Sequence, residues 1–119
     1  MVFFSEGAAD LTIDRNRISD LIDNMLEKLG NISRVLILPP DITRYHSYSG
    51  EITCMLYNKL KNNSYIEIMP TIGTHLPLSE EESDMMYKGI PYEIFRRHDW
   101  RNDIVRIGTI PSEIISWRR

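Results

Sequence analysis

The chain predicts an α/β fold: a small parallel, Rossmann-like sheet of three or more strands with flanking helices. Three observations carry this expectation. Short apolar segments begin near residues 35, 65 and 103, and βαβ units need about 30 residues or more each. Amphipathic stretches of helical period precede the first segment and follow it. Polar loops dense in functional groups follow the segments, at the end of the strands where open α/β sheets bind their ligands.

The elements follow in order. Phe3-Phe4 opens a short edge strand, Glu6-Gly7-Ala8-Ala9 turns the chain, and Leu11 and Ile13 alternate with polar neighbours as a weak strand. Asp14 suits a helix N-cap. Ile18, Leu21, Ile22, Met25, Leu26 and Leu29 make one apolar stripe at helical spacing. Gly30 suits the left-handed residue past its end. Arg34 to Leu38 reads as a strand buried on both faces, stopped by Pro39-Pro40, whose rings donate nothing to a ladder. Ser49 is a candidate cap for a helix carrying Ile52, Met55, Leu56 and Leu60. Tyr65 to Met69 is the second strand. Ser79 with Glu82 forms a capping box for a short helix through Tyr87, which Gly89 closes. Ile90 to Phe95 reads either as a short helix after Pro91 or as extended chain. Asp103 to Ile107 is the third strand, and Ser112 to Trp117 starts a last helix.

Bulk composition bounds the function. A chain of 119 residues is one domain of ordinary size. Its net charge of −3 argues against a nucleic-acid partner, which selects a basic face. No apolar run approaches ~18 residues, so no membrane span is expected, and the N-terminus lacks the basic and apolar regions of a secretory leader. Cys54 stands alone and reads as an inert core thiol, so a reducing cytoplasmic setting is expected.

The chemistry concentrates in Pro39 to Gly50, which holds a carboxylate, a guanidinium, an imidazole, two phenols and the hydroxyls of Thr43, Ser47 and Ser49. Arg44 is suited to clamp a carboxylate, because its planar fork gives two parallel hydrogen bonds. Asp41 can orient Arg44 or accept from a ligand hydroxyl. Ser47, Ser49 and the amides that follow form a helix N-terminus that favours phosphate. His75, after the permissive Gly73, is a candidate general acid or base. Plainer readings stand beside these: a local Asp41–Arg44 salt bridge, Ser49 as a mere cap, His75 as a solvated loop residue, and His46 as a loop hydrogen-bonder. His98 precedes the third strand and so falls at the opposite sheet end unless its loop folds back. The three histidines match no local metal-ligand spacing, and no metal site is assigned.

Pro40-Asp41-Ile42-Thr43-Arg44, then Gly73-Thr74-His75-Leu76-Pro77 with Glu80-Glu81-Glu82, then His98-Asp99 and Gly108-Thr109 occur in the order and separation of a known set. Over residues 35 to 110 the chain resembles the N-terminal domain of the lactate racemase family. The resemblance implies a two-domain α/β isomerase that uses a nickel-pincer nucleotide and racemises or epimerises a small 2-hydroxy acid by moving a hydride to the cofactor and back. It gives His75 the role of one acid/base histidine and Arg44 a contact to the substrate carboxylate or cofactor. It places Asp41 at the cofactor; Thr43, Ser47 and Ser49, hydroxyl donors of the same loop, are assigned beside it as candidate cofactor contacts. Leu76 stands where many members have Arg, and Tyr45 where many have Pro, so lactate is not singled out as the substrate. The cofactor lysine, the nickel histidine and the second catalytic histidine lie in the family's later part. Residues 1–119 are accordingly expected to be one α/β domain, the N-terminal part of a longer enzyme, holding no cofactor and giving no turnover without a C-terminal partner domain. The alternative is a stand-alone module that binds a small phosphate or carboxylate.

Overall fold

The computed structural model describes residues 2–73 and 75–116. Helix α1 spans Arg15–Leu29. The Asp14 side chain accepts from the Arg17 amide at 2.8 Å, and Gly30, at φ 72°, returns its N–H to Leu26 and Glu27. Both ends thus satisfy orphan backbone groups as their residue types foretell. Strand β1 spans Arg34–Ile37 and β2 spans Tyr65–Ile68; they pair in parallel, with Arg34 opposite Tyr65 and Ile37 opposite Ile68. Between them lie a 3-10 helix, Ile42–Ser47, and helix α2, Ser49–Leu60. After β2 come helix α3, Glu80–Met86, a 3-10 turn at Tyr92–Ile94, and a short helix α4, Ser112–Ser116.

The prolines end β1 as a donor but not as an acceptor: the Pro39 carbonyl still takes the Thr71 amide at 2.7 Å. This late pairing keeps the loops after β1 and β2 side by side. The core lies on one sheet face, where Ile66, Ile68, Leu60, Leu78, Met86, Tyr87 and Ile90 cluster. Helix α1 packs on α2, with Leu21 and Ile22 turned inward and Asp23–Lys59 and Arg15–Glu51 ion pairs at the margin. Tyr87 is wholly buried, and its hydroxyl donates to the Pro40 carbonyl, tying the end of α3 to the loop after β1. The Ser79–Glu82 capping box forms, each side chain bonding the other's amide.

Four expectations need correction. The described residues form a two-stranded sheet, and residues 103–107 are exposed and outside it. At the outer edge of β2 the place is taken: Phe95 bridges Ile68 in parallel, and the Arg96 amide donates to the Ile68 carbonyl at 2.6 Å; the β1 edge stays unpaired by the described residues. β1 is not buried on both faces, since Leu36 and Leu38 are each more than half exposed; the helices cover one side only. Residues 2–14 contain a turn but no strand. Ser49 does not cap α2: Tyr48 occupies the cap in the left-handed region, φ 65°, without a side-chain bond to the helix. Among the described residues no helix is long and apolar enough to cross a membrane.

Candidate functional site

Asp41 organises the site. It sits at the start of the 3-10 helix with extended backbone and is only 5% exposed. One carboxylate oxygen, Oδ1, accepts from the Thr43 amide at 3.2 Å and the Thr43 hydroxyl at 2.5 Å. The other, Oδ2, lies 2.6 Å from Nδ1 of His75. Burial by itself would push the Asp41 carboxyl up; the bonds from Thr43 and His75 outweigh it and hold the group below the usual carboxylate range. An ionised carboxylate only accepts, so Nδ1 of His75 carries the proton and donates. In the neutral ring this leaves the Nε2 lone pair as the basic position.

His75 reaches Asp41 because Gly73, at φ 58°, turns the chain and the His75 amide closes on the Ile72 carbonyl at 2.9 Å. Its side chain is 57% exposed while that of Asp41 is 7% exposed: a buried carboxylate holds an accessible imidazole. Two of the sequence-derived site residues, 34 positions apart, are thereby joined, and Thr43 is joined to them as a donor to Asp41.

The others are placed differently. Arg44 is exposed in the same 3-10 helix, and among the described residues its guanidinium takes part in no hydrogen bond or ion pair; Asp41 does not hold it. Ser47 and Ser49 face each other, their hydroxyl oxygens 2.7 Å apart, beside the start of α2. His46 packs its ring edge against Tyr45. Gly108 and Thr109 lie in the exposed segment after residue 103. Cys54 is half-buried, and burial pushes its thiol up, which disfavours a reactive thiolate.

His75 also lines a cavity of about 170 Å³. Its far wall is the loop after Phe95, with Arg97, His98, Trp100 and Arg101; Arg44 is not among the lining residues. The His98 loop therefore sits at the His75 end of the sheet. Because Phe95 runs parallel to β2, the residues that follow it emerge at the same rim as those that follow β1 and β2.

No family model, curated protein or solved structure matches the chain. From the loop after Phe95 the sequence singles out His98-Asp99 but gives no role to Arg97, Trp100 or Arg101. The pattern that marks it is the one seen twice earlier: apolar Ile94-Phe95 followed at once by Arg96-Arg97-His98, a strand-like step into a polar corner.

Proposed function

We propose that the chain serves as the N-terminal domain of a 2-hydroxyacid racemase or epimerase of the lactate racemase type, supplying one acid/base histidine and contacts to substrate and cofactor. The observation that carries this reading is the 2.6 Å contact between His75 and Asp41, which joins two of the motifs on which the resemblance rests. Racemisation at a hydroxyl-bearing carbon needs a base to take the hydroxyl proton and an acid to return it. An exposed imidazole with its tautomer set by a buried carboxylate suits that task. Arg44, with its guanidinium unengaged, is suited to the substrate carboxylate or to an anionic part of the cofactor.

The nickel-pincer nucleotide would supply the hydride acceptor. The residues fit its phosphate better than its metal. The adjacent Ser47 and Ser49 hydroxyls at the start of α2 are the donors a phosphate would use. Among the described residues no group of three or more His, Cys, Asp or Glu is placed to hold a metal ion, and no nickel ligand is assigned here. The reading leaves nickel ligation, the cofactor lysine and the second acid/base histidine to a partner domain.

Two measurements test it. Joined to the partner domain, the protein should take up the nickel-pincer nucleotide saturably, followed by its visible absorbance, and lose most of that uptake in the Ser47→Ala, Ser49→Ala double variant; a joined protein that takes up none sinks the reading. With the partner domain present, His75→Ala should lower racemisation of the 2-hydroxy acid by about 10²–10⁴-fold, the contribution of a general acid/base. Binding of phosphate or carboxylate with no isomerisation under those conditions would instead establish a small-anion binding module.

A further inference from the structure

We propose that the cavity between the 72–77 and 97–101 loops holds the carboxylate of a small organic acid, with Arg97 and Arg101 as its clamp. The inference rests on the racemase reading for the identity of the acid and deepens it. It moves the carboxylate away from Arg44, which is then left for the nucleotide side.

Size comes first. About 170 Å³ falls below the roughly 300–1,000 Å³ of sites that enclose drug-sized ligands. The cavity suits an acid of a few heavy atoms and not a nucleotide. Charge comes second. Arg96, the neighbouring arginine, is tied to Glu67 and to the Tyr65 hydroxyl on the outer sheet face. Arg97 and Arg101 are not so engaged: among the described residues neither guanidinium takes part in a hydrogen bond or ion pair. Arg101 lies over the Trp100 ring, 4.5 Å from its centroid, a cation–π contact that holds the guanidinium beside the cavity without using its N–H donors on a protein acceptor. The carboxylate of Asp99, also in the wall, is turned to its own tight turn. It accepts from the Arg101 and Asn102 amides and the Asn102 side chain at 2.9–3.2 Å. It feels Arg97 only through space, and the bonds from Asn102 are the main reason it is held below the usual carboxylate range.

The third point is incompleteness. His98 lines this cavity, and its Nδ1 is shielded from solvent with no partner among the described residues. Buried polar atoms are normally paired, so the described residues leave this Nδ1 short of a partner. His75 stands on the opposite wall. An acid held by the two arginines would therefore bring its hydroxyl-bearing carbon between the clamp and the imidazole oriented by Asp41.

The test is a titration of the full chain with sodium L-lactate at low ionic strength, read through the NMR signals of His75, His98 and Trp100. L-lactamide, which keeps the hydroxyl and removes the charge, is the comparison. Saturable shifts with lactate and none with lactamide are expected. Arg97→Gln and Arg101→Gln should each weaken lactate by about tenfold or more, as loss of a charged hydrogen bond does. Arg106→Gln, an exposed arginine outside the cavity wall, should leave it unchanged. If one clamp variant fails to fold, the other and the lactamide comparison still decide. No saturable shift, equal binding of lactamide, or equal losses in Arg106→Gln would each overturn the proposal. Saturable binding without any isomerisation in the presence of cofactor and partner domain would sink the racemase reading and leave this site standing. Turnover whose KM is unmoved by Arg97→Gln and Arg101→Gln would sink the site and leave that reading.

Discussion

At the scale of the residue, Asp41 carries both the local fold and the chemistry. Its carboxylate caps the 3-10 helix through Thr43 and sets the His75 ring. Neither role was visible as such in the sequence, where Arg44, three positions away, was a natural partner. Local spacing offers i to i+3 pairs, but a contact across 34 residues depends on β1 and β2 being adjacent and parallel. The depressed pKa of Asp41 has a sign that can be worked out. A carboxyl whose folded pKa lies below its unfolded value near 3.9 adds stability above that value. The contribution is lost as pH falls through the folded pKa. Asp41→Asn should therefore cost about 1–3 kcal/mol at pH 7, the range for disrupting a buried hydrogen-bonded group, and the cost should shrink as pH falls below the unfolded value towards the lower folded pKa. Urea midpoints of the two proteins from pH 7 down through the acid range measure this; a cost that stays constant throughout acid titration would show that the charge contributes nothing.

At the scale of the element, what was legible was what local chemistry decides. Asp14 and Gly30 bound α1, and Ser79 with Glu82 opens α3, because a cap is satisfied within one turn of chain. Ser49 misled because its hydroxyl is directed at Ser47 and not at the helix amides. Residues 103–107 misled for a different reason: a strand needs a ladder partner, and local sequence does not show that Phe95 with Arg96 takes the β2 edge at Ile68 and that the β1 edge is left unpaired by the described residues. Gly50 shows how closely two elements meet. It is buried in the first turn of α2, and a Cβ added there would lie 2.3 Å from the Met86 backbone carbonyl oxygen in α3. Gly50→Ala would normally help a helix interior by about 0.5–1 kcal/mol. Here the contact is with backbone, which cannot swing aside, and overpacking of this kind costs about 1–3 kcal/mol. Net destabilisation by urea unfolding is the expected outcome; an unchanged or more stable variant would mean that α2 and α3 are less tightly apposed than described.

At the scale of the molecule, the chain is more extended than its length requires. A compact domain of 119 residues has a radius of gyration of about 13.5 Å, whereas this one has 17.5 Å. Two exposed runs accompany the difference, residues 4–13 and a run after residue 100 in which Ile104, Val105, Ile107, Ile110 and Ile114 are all largely exposed, Ile107 completely so. The sequence placed residues 103–107 in a strand because a short apolar segment starts there at βαβ spacing, and that spacing does not reveal whether the segment pairs with a sheet edge. Equivalent truncations should then have unequal effects. Ile68→Ala removes a fully buried side chain from the sheet face and should cost about 2–5 kcal/mol. Ile107→Ala removes one that contacts little, and should change stability by less than about 0.5 kcal/mol. Urea unfolding of both variants, with small-angle scattering of the parent chain, joins the two ends of the argument. A radius near 13.5 Å together with a large cost at Ile107 would mean that this segment packs on the sheet in solution, by its open β1 edge, and that the three-stranded arrangement is the one the chain adopts.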